Sequence, residues 1–144
     1  MGGCRERKER AMSIEMLVRE TIDTLKSHGI MVHKYESKSS SSVYLKLDGG
    51  LVGSVRFSDH KGKEQYSYMF NMLLDMVGTR TERQGAYVRH YYGPANLQDM
   101  IVDIVRRRVA TKVKFRRGGY EEAVILAVGE MKRKKGFGEQ CVLA

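Results

Sequence analysis

Apolar residues recur with helical spacing at Ile14, Leu17, Val18, Ile22 and Leu25, with Thr21 on the same side. This predicts an amphipathic helix capped by Ser13 and stopped at Gly29. The period then changes to two. A first strand is expected over 31–37, followed by a short serine-rich joint over 38–42. In 43–48, Val43, Leu45 and Leu47 alternate with Tyr44, Lys46 and Asp48. In 51–58, Leu51, Gly53, Val55 and Phe57 alternate with Val52, Ser54, Arg56 and Ser58. Two alternating runs around Asp48-Gly49-Gly50 predict a β-hairpin, and the alternation turns Arg56 and Ser58 away from the core.

Residues 58–65 read as a polar loop. Over 66–74, Tyr66, Tyr68 and Phe70 alternate, whereas Met69, Met72, Leu73 and Met76 fit a helix; the aromatic β-propensity favours a strand. Residues 77–85 hold turn formers. A further strand over 86–92 is ended by Gly93-Pro94. Asn96 is placed to cap the next helix, whose apolar stripe is Leu97, Met100, Ile101, Ile104, Val105 and Val109. Asp99, Asp103 and Arg107 lie on its outer side, Asp103 and Arg107 as an i,i+4 pair. Residues 112–117 alternate basic and apolar side chains, which fits a strand, a helix end or a basic loop. Gly118-Gly119 breaks the chain before a last helix over 120–133, with Ala123, Val124, Ala127, Val128 and Met131 inward.

The order predicts an α+β fold: an N-terminal helix, a four- to five-stranded antiparallel meander, and two C-terminal helices packed on one face. The other face is expected to be polar and open to ligands. The chain divides into a charged extension (1–12), one domain (13–133) and a basic, frayed tail (134–144).

With 144 residues, 42% hydrophobic and 30% charged, the chain has the composition of a folded domain. No apolar run approaches the roughly 20 residues of a membrane span, and no secretory signal is visible. Cys4 and Cys141 form neither a metal spacing nor a disulfide framework, which points to a reducing cytoplasm.

Charge changes the picture more. The net charge is +9, and 106–135 carries eleven Lys/Arg against three acids. Clustered positive charge attracts polyanions, although a solvated surface is the plainer explanation. The expected contact residues are Arg106, Arg107, Arg108, Lys112, Lys114, Arg116, Arg117, Lys132 and Arg133, with Phe115 more suited to the core than to base stacking. The hairpin end adds a compact recognition group of Arg56, Ser58, Asp59, His60 and Lys61.

Signals for chemistry are sparse. Asp59 and His60 form a candidate acid–base couple, but adjacent side chains diverge in extended backbone. There is no nucleophile elbow, no phosphate-binding glycine motif, and no metal or cofactor spacing. Cys141-Val142-Leu143-Ala144 fits the prenylation form. No helix-turn-helix, zinc-finger or RNP signature appears, so nucleic-acid contact is expected to follow backbone and shape.

Three segments carry a resemblance. They are Ser37-Lys38-Ser39-Ser40, Val43-Tyr44-Leu45-Lys46 and Val55-Arg56-Phe57-Ser58-Asp59-His60-Lys61-Gly62. With them the chain resembles small, mostly uncharacterised proteins of bacteriophages and mobile elements of Gram-positive bacteria. The likeness extends loosely through 66–70 and 97–108, about half the chain. It implies action in the host bacterial cytoplasm, where prenylation does not occur. Some proteins with a similar Arg-x-Ser-(Asp or Asn)-His segment look like anti-CRISPR inhibitors of a type II nuclease.

The resulting expectation is a non-enzymatic phage anti-defence protein. It would bind a host defence effector or its nucleic acid, without a cofactor, a metal or a membrane, either alone or as a homo-oligomer. Two alternatives stand beside it. One is an oligomeric sponge for a nucleotide immune signal, held by Arg56, His60 and Lys61. The other is a small hydrolase or nuclease using Asp59 and His60.

Overall fold

A computed structural model of the chain describes residues 14–38, 40, 42–60, 63–71, 87–115, 118–134 and 140–144. The expected helix forms as α1 (Ile14–Ser27), with Leu17, Val18, Thr21 and Leu25 buried along one stripe. Gly29 ends it at φ +79°, a conformation that favours glycine.

Five strands then follow as an antiparallel meander: β1 (Val32–Glu36), β2 (Val43–Leu47), β3 (Gly53–His60), β4 (Lys63–Asn71) and β5 (Tyr87–Tyr92). Of the segment of ambiguous period, 66–74, residues 66–71 are strand, and 72–74 lie outside the described residues. The loop expected over 58–65 is largely ladder instead, with Ser58 opposite Gln65, Asp59 opposite Glu64 and His60 opposite Lys63. The residues expected over 77–85 lie outside the described residues.

Among the described residues the sheet has six strands rather than four or five, in the order β5-β4-β3-β2-β1-β6. The sixth, β6 (Val142–Leu143), comes from the tail expected to fray. It pairs with the free edge of β1, Ala144 N–H donates to the Val32 carbonyl, and Cys141 is buried against Met131. Burial leaves Cys141 poorly placed for modification. Two residues are too few to read as a strand from pattern alone.

A short 3₁₀ turn (Pro94–Asn96) leads into α2 (Leu97–Lys114), and α3 (Gly119–Arg133) follows. Asn96 Nδ2 donates to Asp99 Oδ2 at 3.1 Å instead of capping the helix backbone. Met100, Ile101, Ile104 and Thr111 are the buried residues of α2, while Val109, expected in its core stripe, is 57% exposed. No described helix is long and apolar enough to cross a membrane.

One hydrophobic core lies on one side of the sheet. It joins Leu17, Val18 and Leu25 of α1 and Met100 and Ile104 of α2 to Leu45, Leu47, Val55, Phe57, Tyr66, Tyr68 and Phe70 of the strands. Tyr120 and Val124 of α3 reach the same core, with Phe115 packed edge-on against Tyr120. Yet α3 makes its main contact with the 3₁₀ turn Asp48–Gly50 between β2 and β3. It lies past the end of the sheet rather than flat on it.

Candidate nucleic-acid interface

Opposed residues of antiparallel strands share a face, so the register fixes what the core-free side presents. One row crosses five strands: Tyr35 opposite Tyr44, Tyr44 opposite Arg56, Arg56 opposite Ser67, and Ser67 opposite Tyr91. At strand spacing this row is roughly 19 Å long. The next row is His33, Lys46, Ser54, Met69 and Arg89. None of these ten residues belongs to the hydrophobic core, although His33 and Ser67 are themselves buried, at 2% and 6% exposure.

The first row is built for contact. Tyr35 and Tyr44 sit with ring centroids 6.0 Å apart, and the Arg56 guanidinium lies 5.7 Å from the Tyr44 centroid. Arg56 Nη2 donates to Ser42 Oγ at 3.3 Å, while its shielded Nε has no hydrogen-bond partner among the described residues. Tyr91, at the β5 edge, is 69% exposed. Rings on a strand face can stack on bases, and a guanidinium held beside them can meet a base plane or a phosphate.

Positive charge gathers at the other end of the face. Burial pushes the Lys46 ammonium below its ordinary value, and repulsion from Lys134 adds to this, partly opposed by nearby Cys141. His33 is also held low, first by burial and then by Lys132. These like charges stand close enough to disfavour one another, and a bound polyanion would relieve them.

The His33 shift has a measurable consequence. Its folded-state value lies below the ordinary 6.5, so the unfolded chain takes up the proton more readily. His33 therefore contributes stability at neutral pH that is lost as pH falls from about 6.5 through the folded-state value. Denaturant midpoints should drop across that range in the native chain and drop less in His33→Gln. Equal pH slopes in the two proteins would contradict this assignment.

The expected basic surface is not one surface. Successive helical residues are about 100° apart, and Arg108 turns away from Arg106 and Arg107, which line a common depression. Arg106 is exposed, and Arg107 lies on Phe70 with its guanidinium carbon 3.3 Å from the ring centroid. Arg108, expected as a ligand contact, is structural instead. Its Nε donates to Asp48 Oδ2 at 2.8 Å and its Nη2 to the Gly29 carbonyl at 3.1 Å. Lys112 pairs with Glu121 at 3.4 Å. Lys114, Lys132 and Arg133 are exposed, and Arg116 and Arg117 lie outside the described residues.

The hairpin-end group is also divided. Arg56 is on the core-free face as expected, but Ser58 is buried. Asp59 and His60 are placed by their backbone at the end of β3, and Lys61 lies outside the described residues. Among the described residues, no group of three His, Cys, Asp or Glu converges to hold a metal. The tyrosine row was missed at the sequence level, although Tyr35, Tyr44 and Tyr91 each stand at strand positions opposite in phase to the core residues.

No family model matches the chain, and no curated protein or solved structure is significantly similar to it.

Proposed function

We propose that this chain is a non-enzymatic binding protein whose core-free sheet face takes single-stranded nucleic acid, either free or within a nucleoprotein. The observation that carries this reading is the row Tyr35, Tyr44, Arg56, Ser67 and Tyr91 on a face without core residues. Lys46 and Arg89 in the next row and Lys134 nearby supply phosphate contacts. The phage resemblance supports an anti-defence setting in a bacterial host, with a nucleoprotein effector such as a type II CRISPR nuclease as the partner. That setting comes from sequence likeness and not from the site.

Stacking and phosphate contact leave separate signatures. Tyr44→Ala and Tyr91→Ala should each weaken binding of a fluorescent single-stranded oligonucleotide by about 1–3 kcal/mol, or 5- to 150-fold. Three or four phosphate contacts should give a salt slope of roughly −2 to −3, so affinity falls about 20- to 50-fold between 50 and 200 mM salt. Equal binding of duplex and single strand, together with unchanged affinity in both tyrosine variants, would remove this reading.

A further inference from the structure

On the opposite, helix-covered side of the sheet, next to the β5 edge, lies a depression of about 400 Å³ lined by Phe70, His90, Asp103, Arg106, Arg107 and Lys114. Its floor is the buried ring of Phe70. The Arg107 guanidinium covers one face of that ring, and His90 meets the ring nearly perpendicular, with centroids 5.3 Å apart. Asp103, Arg106, Arg107 and Lys114 come from one side of α2, at spacings of three, four and seven or eight residues. Ala110, between them, is short and leaves the space open.

The charge of this depression is mixed, with a positive excess. Its carboxylate, Asp103, accepts the Tyr92 hydroxyl hydrogen bond at 2.5 Å, which directs it toward β5. Against it stand two guanidiniums and an ammonium. Burial, the largest influence on Arg107, holds that guanidinium below its ordinary value, as expected for a cation partly removed from water. An anion placed beside it would favour the charged form.

We propose that this depression is a binding site for the phosphate group of a small ligand of nucleotide size. Guanidiniums present several N–H donors in a planar fork that fits phosphate oxygens, and an adjacent ammonium adds a point charge. The volume lies in the range of small-molecule sites, roughly 300–1,000 Å³. Phe70 is already covered by Arg107, so affinity comes from the phosphate and not from base stacking on that ring. The site uses none of the residues of the sheet face and stands whether or not that face binds nucleic acid.

The test is calorimetric titration of the full chain with AMP, inorganic phosphate and adenosine. AMP and phosphate should bind, and adenosine should not. Tighter binding of AMP identifies a nucleotide as the ligand, whereas equal binding identifies the phosphate alone. The double variant Arg106→Glu, Lys114→Glu should lose about tenfold or more in affinity for AMP, with an unchanged melting temperature because both side chains are exposed. Tyr44→Ala should bind AMP normally even where it fails to bind an oligonucleotide. Adenosine binding as well as AMP, no heat from either phosphate probe, or full affinity in the folded double variant would each overturn the proposal.

Discussion

Asp48→Ala should cost about 3–5 kcal/mol of stability, the range for removing one partner of a buried ion pair. Asp48 is 2% exposed and holds four parts of the chain together. Its Oδ1 accepts the Met31 N–H at 2.8 Å, at the entry to β1. Its Oδ2 accepts Arg108 Nε of α2 at 2.8 Å and also the Tyr120 hydroxyl of α3. Arg108 in turn reaches the carbonyls of Gly29 and, more distantly, His28 at the end of α1. Burial alone would lower Arg108, yet its bond to Asp48 keeps the guanidinium above its ordinary value.

Removing the carboxylate leaves a half-buried cation and a buried hydroxyl without their acceptor. Asp48→Asn should recover little, because an amide NH₂ would face those two donors. Arg108→Met combined with Asp48→Ala should cost less than the sum of the single changes, since no uncompensated charge is left. Urea denaturation of the four proteins gives this cycle. An Asp48→Ala chain within about 1 kcal/mol of the parent, or strict additivity, would show that the pair does not hold the turn. Charge reversal at Arg108 should likewise unfold the chain, so a reversal of all three arginines 106–108 does not report on ligand contact.

The second large effect is expected at Gly53, where β3 begins. Its φ is +101°, and a Cβ there would lie 2.2 Å from the Met69 carbonyl oxygen and 3.0 Å from the Tyr68 ring. The close atom is backbone of the paired strand, so no rotamer change relieves it. Tyr68 fills the space above Gly53, and its hydroxyl donates to the Val52 carbonyl. Gly53→Ala combines an unfavourable backbone conformation with overpacking of the β3–β4 ladder, together about 2–5 kcal/mol. Gly50 has a similar φ of +100° but, among the described residues, nothing within 4 Å of its Cβ position. Gly50→Ala should therefore cost only the conformational part, about 1–2 kcal/mol. Equal melting temperatures for the two variants would mean that the close approach at Gly53 is absent.

How far the site was legible in the sequence differs residue by residue. Arg56 was placed on the correct face because its strand alternates cleanly, Val55 and Phe57 inward and Arg56 outward. Ser58 obeys the same alternation and yet is buried, because burial depends on what neighbouring strands and side chains cover. The arginines 106–108 look like one patch in sequence, but helical geometry turns Arg108 away from the other two. Arg106 and Arg107 both line the depression beside Phe70, Arg107 also covering that ring, and Arg108 is tied to Asp48. The tyrosine row required the register of four strand pairs. No pattern within a single strand tells which residue of the next strand stands opposite.

The sequence by itself determined the classes and order of the elements. Its change of period marks α1, the meander strands and the two later helices, and its glycines mark Gly29 and the β2–β3 turn. These are local properties, set by backbone sterics and by which residues alternate or recur, and they survive without knowledge of the rest of the chain. The tertiary structure decided which charged groups are structural and which face a ligand. Asp48 meets Arg108 and Tyr120 across 60 and 72 residues, and β6 finds β1 across the whole domain. Such contacts depend on how distant elements pack, because burial makes an unpaired charge costly and favours the arrangement that supplies its partner.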